Sequence, residues 1–169
     1  MASRVVSVAV SVLFTLFGGP GILLVAIPWW ITRFRIQEDQ PMWRTIAGAA
    51  LILVGLIPLL ESLWRFVVVG RGTLVPAVPT ERLVVSGLYR YVRNPMYIGV
   101  LVAITGEALL FWNLGLVIEL VFVCIAMQAF VLLYEEPTLT HTYPAEYAEY
   151  RRHVHRWIPR RTPWEGNSL

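Results

Sequence analysis

Long apolar runs separated by short polar connectors set the pattern of this chain. The first run extends from Val5 to Ile31 and is interrupted by Gly18-Gly19-Pro20-Gly21. At about 1.5 Å of rise per residue it is long enough to cross a hydrocarbon core of roughly 30 Å. Arg4 and the apolar stretch Val5 to Phe17 have the outline of a signal peptide, but apolar character resumes after the glycines and no small-x-small cleavage site follows. The interruption is therefore expected to kink one helix or split it in two, and Pro28-Trp29-Trp30 marks a membrane interface. A polar connector, Thr32 to Trp43, leads to a second span over Arg44 to Val69, whose Ala47, Gly48 and Gly55 offer a small-residue face for close helix contact. Glu61 near its end is a buried or an interfacial acid. Residues 70–86, with two prolines and two glycines, predict a loop. A third span from Pro95 to about Trp112-Asn113 and a fourth from Leu114 to Tyr134 form a tight hairpin. Beyond it, Pro144 to Val154 predicts a short helix with Tyr143, Tyr147, Tyr150 and Val154 on one face, able to cap the bundle or lie on a membrane surface. Thr162 to Leu169 predicts a frayed end.

Composition turns this pattern into a fold class. The chain is 57% hydrophobic and 15% charged, with a mean hydropathy of +0.62, against roughly 45–50% apolar residues in soluble domains. The expectation is an all-α integral membrane bundle, one domain over residues 1–169. It has about four transmembrane helices, or five if the first is split at Gly18 to Gly21. Charge sets its orientation. The hairpin turn carries none, whereas Arg71, Arg82, Arg90 and Arg93 lie before the hairpin and Arg151, Arg152, Arg156, Arg160 and Arg161 after it. By the positive-inside rule both ends, including the C-terminal helix, are cytoplasmic, as in the cytoplasmic membrane of a prokaryote. One cysteine, Cys124, excludes a disulfide framework and a zinc cluster, and is expected to be a small buried hydrophobe. Neither a metal nor a nucleic-acid partner is expected.

Chemistry concentrates at two places. The first is Gly87 to Gly99, where an arginine- and tyrosine-rich segment passes directly into the third span. Asn94-Pro95 is a helix-start signal, because proline at the first helical position forfeits no hydrogen bond. The free N–H groups of that first turn, beside Arg90 and Arg93, suit an anionic group at the membrane surface. The second is Glu135-Glu136, where the fourth span ends on the same side. Two adjacent acids cannot both face one arginine, which leaves a carboxylate for another partner. His141, His153 and His155 lie in the Arg-rich tail and are not expected to be catalytic. Glu107 and Glu119, acids within spans, are expected to face the bundle interior or a cavity.

These pieces together resemble the isoprenylcysteine carboxyl methyltransferase and phospholipid methyltransferase superfamily. The resemblance rests on Gly-x-Tyr-Arg-x-Val-Arg-Asn-Pro-Met-Tyr-x-Gly before a two-span hairpin, then Glu135-Glu136-Pro137-x-Leu139, Tyr147-x-x-Tyr150 and Arg156-Trp157-Ile158-Pro159. It covers about residues 70–160, the catalytic half. It implies a membrane-embedded enzyme without a Rossmann fold that moves a methyl group from S-adenosylmethionine to a lipophilic acceptor, either a prenylcysteine-like carboxylate or a lipid headgroup. It places the cofactor between the start of the third span and the glutamate pair, facing the cytoplasm. Tyr89, Arg90, Asn94, Pro95, Tyr97, Gly99, Glu135 and Glu136 are its implied binding residues, and Arg93, Tyr97 and Glu136 the implied catalytic ones. Asn94 stands where many members have histidine, and asparagine cannot take a proton. A carboxylate acceptor needs no base, whereas an amine or thiol does, with Glu136 or Tyr97 the nearest candidates. The reading from a different class is a non-enzymatic membrane transporter or scaffold whose arginines and glutamates form an interfacial network.

Overall fold

The computed structural model describes residues 19–68, 83 and 85–166, all helix, turn and irregular chain with no strand among them. The first half of the Val5–Ile31 run, most of the 70–86 loop with Arg71 and Arg82, and the last three residues lie outside the described residues. Five helices organise the rest: α1 (Gly19–Thr32), α2 (Met42–Val68), α3 (Pro95–Phe111), α4 (Leu114–Thr142) and α5 (Pro144–His153). Two are long and apolar enough to cross a membrane, Met42–Arg65 of α2 and Leu114–Thr142 of α4; α1 and α3 are shorter apolar helices.

Glycine fixes the main packing. A Cβ on Gly55 would lie 2.5 Å from the Gly99 carbonyl oxygen, and one on Gly99 equally close to that of Gly55; Gly48 and Gly106 face each other in the same way. Both helices carry these glycines seven residues apart, two helical turns, so α2 and α3 run antiparallel with their backbones in contact. The small-residue face expected on α2 is thus met by a matching one on α3. Around this seam Leu59, Val100, Ile104 and Val123 form the core, with Leu23 and Leu24 of α1 packed against it. Outward positions are also apolar, Phe122 at 71% exposed and Leu133 at 80% among them. Cys124 is on this outer surface. The expectation that it is buried fails because the inward stripe of α4 runs through Leu116, Glu119 and Val123. Glu107 and Glu119 do face inward, and Glu107 Oε2 and both oxygens of Glu119 have no hydrogen-bond partner.

Two wide, π-type turns interrupt the helices, Ile22–Ala26 in α1 and Val131–Glu135 in α4, and each is followed two residues later by proline, Pro28 or Pro137. Proline lacks an N–H and its ring crowds the carbonyl four residues back, so a widened turn lets the helix continue past it. Consequently α4 does not stop at Tyr134. It carries Glu135 and Glu136 within a continuous helix, re-aimed by the inserted residue.

The ends of the bundle differ. Phe34 stacks on Phe111 at 5.8 Å and the Arg44 guanidinium lies 4.0 Å over the Trp112 ring, so the 33–41 connector and the Trp112-Asn113 turn share one end. The other end holds Glu61, ion-paired to Arg65 at the edge of α2, a short turn over Gly87–Arg90, α5, and the chain that follows it. Gly87 sits at φ +56° against Glu61 and Arg65, where a Cβ has no room. The face of α5 read from sequence is turned inward: Tyr147, Tyr150 and Val154 are buried, with Leu83, Val85, Leu139, Tyr143 and Trp164 packed on them. The expected fraying from Thr162 does not hold for 162–166, because Trp164 stacks with His153 and Tyr150 and donates its backbone N–H to Arg90 O at 2.9 Å.

Candidate active site

A strap over residues 155–164 runs along 90–93 and closes this end. Arg93 N–H donates to His155 O, Arg160 N–H to Tyr91 O and Trp164 N–H to Arg90 O, each at 2.9 Å. Asn94, buried, donates Nδ2–H to Arg156 O at 3.2 Å and leaves the first turn of α3 without a side-chain cap. Pro95 occupies the first position of that helix, as the Asn-Pro signal requires.

Where the strap, α3, α4 and α5 meet, four charged groups and two tyrosines gather. Glu136, almost fully buried, accepts from Arg93 Nη1 at 2.9 Å and Arg156 Nε at 2.7 Å on Oε1, and from Arg156 Nη2 at 2.9 Å on Oε2. Arg93 Nη1 also donates to Tyr147 Oη at 3.1 Å, and its Nε–H is buried without an acceptor. Glu135 is turned the other way and accepts from Tyr97 Oη at 2.9 Å. Trp157 stands beside Tyr97, ring centroids 6.5 Å apart, and is fixed by its Nε1–H donating to Gln128 Oε1 at 2.8 Å. The electrostatics follow the contacts. Burial, with the Glu136 charge second, holds the Tyr147 phenol above the ordinary tyrosine range, so it stays protonated. The carboxylate of Glu136 keeps Arg156 charged by raising its pKa.

The structure thus brings Arg93, Asn94, Pro95, Tyr97, Glu135 and Glu136 to one place and sets the other expected residues apart in role. Tyr89 is buried, within electrostatic reach of Glu135 and close to Ser62 of α2, and its carbonyl accepts from Tyr150 Oη at 2.7 Å. Arg90 is spent on the strap, Nε–H to Trp164 O at 2.8 Å. The lack of a Cβ at Gly99 is accounted for by α2, whose Gly55 oxygen would be struck, so the close approach there is a helix's. All three histidines expose their side chains. Arg156, Tyr147 and the Trp157–Gln128 pair carry no catalytic or binding role in the sequence reading, although the Arg-Trp-Ile-Pro string and the tyrosine spacing are signals that could have found the first three. Among the described residues no group of three or more histidines, cysteines or acids is disposed to hold a metal ion.

The family model described as phospholipid methyltransferase matches residues 43–146, more than half of the chain, from the start of α2 to the first turn of α5. The chain belongs to the phospholipid methyltransferase family. That family is part of the wider superfamily of membrane methyltransferases that includes the isoprenylcysteine enzymes. Membership makes methyl transfer to a lipid-type acceptor the activity class of the family, and the matched residues contain nearly all of α2 and the whole of α3 and α4, with Arg93, Tyr97, Glu135 and Glu136. The strap with Arg156 lies beyond them. No curated protein and no solved structure matches the chain.

Proposed function

We propose that this chain is an integral membrane enzyme that uses S-adenosylmethionine to methylate a lipid acceptor at the Arg93–Tyr97–Glu135 cluster. The observation that carries the reading is an unequal division of hydrogen bonds. Arg93 has a buried Nε–H with no acceptor, and Glu135 is bonded to a tyrosine hydroxyl while its neighbour Glu136 is occupied by two guanidiniums. A ligand that carries a carboxylate and an ammonium on one carbon, as the cofactor does, meets complementary groups in Arg93 and Glu135. The uncapped first turn of α3 adds positive potential on the carboxylate side.

When bound, S-adenosylmethionine supplies an electrophilic methyl group on sulfur. The protein's own part is orientation and exclusion of water. Trp157 and Tyr97 provide an aromatic wall, and the strap covers the cluster, tied to α4 through the Trp157–Gln128 and Arg156–Glu136 bonds. Exposed apolar residues of α4 near the glutamates, Leu132 and Leu133, give a lipid chain a route alongside the cluster. For an acceptor that must lose a proton, Glu135 is the better base, because Glu136 already has both oxygens on arginines. We place the cluster at the cytoplasmic face of four spans, on the arginine distribution.

Isothermal titration of the detergent-solubilised protein with S-adenosylhomocysteine tests the site. Glu135→Gln and Arg93→Lys should each weaken binding about ten- to a hundredfold, the equivalent of roughly 1.5–3 kcal/mol for a hydrogen bond to a charged group. Affinity unaltered in both variants would place the cofactor elsewhere.

A further inference from the structure

Glu136 is one negative charge between two guanidiniums, and the division between them is unequal. Arg156 takes the carboxylate in the two-pronged geometry, Nε on one oxygen at 2.7 Å and Nη2 on the other at 2.9 Å. Arg93 makes one bond to it, through Nη1, and shares that nitrogen's donors with Tyr147. Of the three groups in contact, one positive charge is left over, and it sits on Arg93, where a buried N–H lacks an acceptor. Glu135 does not cancel it by contact, since its bond is to Tyr97.

The position of Arg156 is built. The residue before it accepts the backbone N–H of Arg93, its own carbonyl accepts Asn94 Nδ2, and the residue after it is pinned to Gln128 of α4. An arginine anchored on both sides differs from a surface arginine whose pairing contributes little. We propose that Arg156 is a positioning residue. By holding the Glu136 carboxylate on itself it keeps that carboxylate from closing onto Arg93, and so leaves the Arg93 guanidinium free to bind an anionic group. Without Arg156, the carboxylate is 2.9 Å from Arg93 already and needs only a rotation to take its remaining donors in a two-pronged pair. The ligand's carboxylate would then compete with an intramolecular one. The inference rests on the reading that Arg93 receives the carboxylate of the cofactor, and it assigns a function to a segment outside the family-matched residues.

The test uses two ligands and four proteins. S-adenosylhomocysteine and its decarboxylated analogue, which differ in the carboxylate alone, are titrated into the full-length detergent-solubilised wild type, Arg156→Gln, Arg156→Lys and the double variant Glu136→Gln/Arg156→Gln, with melting temperatures measured in parallel. Arg156→Gln should lose about tenfold or more in affinity for S-adenosylhomocysteine and less than about twofold for the analogue. The double variant, which removes the competing carboxylate as well, should recover to within about threefold of wild type. Arg156→Lys, with the charge but not the fork, should fall between. A strap that matters only for folding predicts equal losses for the two ligands and a double variant no better than the single one, and either result overturns the proposal. The site reading fails separately: a wild type that binds both ligands equally shows that Arg93 does not receive the carboxylate, and this inference falls with it.

Discussion

Replacing Glu136 by glutamine isolates what the buried carboxylate does. It removes one charge that makes three charge-assisted hydrogen bonds, one to Arg93 and two to Arg156. At an effective dielectric of about 20 and about 4 Å between charge centres, each ion pair is worth about 4 kcal/mol before solvation is counted. The two arginines recover that loss differently. The side chain of Arg156 is 26% exposed and can swing toward water, whereas that of Arg93 is 11% exposed and cannot. The cost therefore falls at about 2–4 kcal/mol, at or below the usual range for stranding one partner of a buried pair. For a chain of this length each kcal/mol moves the midpoint by roughly 2–4 °C, so Glu136→Gln should melt about 10 °C lower in detergent. Because the change makes the site more positive, affinity for S-adenosylhomocysteine should stay within about threefold of wild type. Paired melting and titration measurements decide it. An unchanged melting temperature with affinity reduced more than about tenfold would refute the reasoning, because it would mean that Glu136 faces the ligand and not the arginines.

Two further outcomes follow from the fold. Gly55→Ala places a methyl group 2.5 Å from the Gly99 oxygen and 2.6 Å from Ala103 N, backbone atoms that cannot rotate aside, and should cost about 1–3 kcal/mol; Gly19→Ala, with nothing within 4 Å, is the control that should not shift the melting temperature. Equal melting temperatures for both variants would show that the α2–α3 seam is looser than described. For topology, a cysteine at Arg160 in a background lacking Cys124 should react with a membrane-impermeant thiol reagent only after cells are opened, and labelling from outside intact cells would invert the bundle and the cofactor route.

How much of this was legible in the sequence depended on whether the signal was local. Apolar runs, Asn94-Pro95 and the tyrosine spacing of α5 are local, and they placed α2, α3, the hairpin and the buried face of α5. The small-residue face on α2 was legible too, but its partner glycines on α3, Gly99 and Gly106, were not, because which glycine meets which is a property of the crossing. The same limit governs the site. That an acid would be left over beside Arg93 followed from counting charges. Which acid it is followed only from the widened turn over Val131–Glu135, which sends Glu136 to the arginines and Glu135 to Tyr97. Arg156 stood in a recognisable string, yet its ion pair spans twenty residues across a helix and a strap, and no periodicity encodes that. Trp164 likewise reads as part of a polar tail until the aromatic stack on His153 and Tyr150 is seen.

Methyl transfer to a lipid acceptor at the proposed Arg93–Tyr97–Glu135 cluster is measured by incubating the purified protein with methyl-labelled S-adenosylmethionine and a total membrane lipid extract, then counting label in the organic phase. Wild type should leave label in the lipid fraction, reduced by about tenfold or more in Arg93→Lys and in Glu135→Gln although both remain folded. Label transferred equally by wild type and both variants would contradict the assignment of the site, and no label in any lipid fraction from a protein that binds S-adenosylhomocysteine would contradict the lipid acceptor itself.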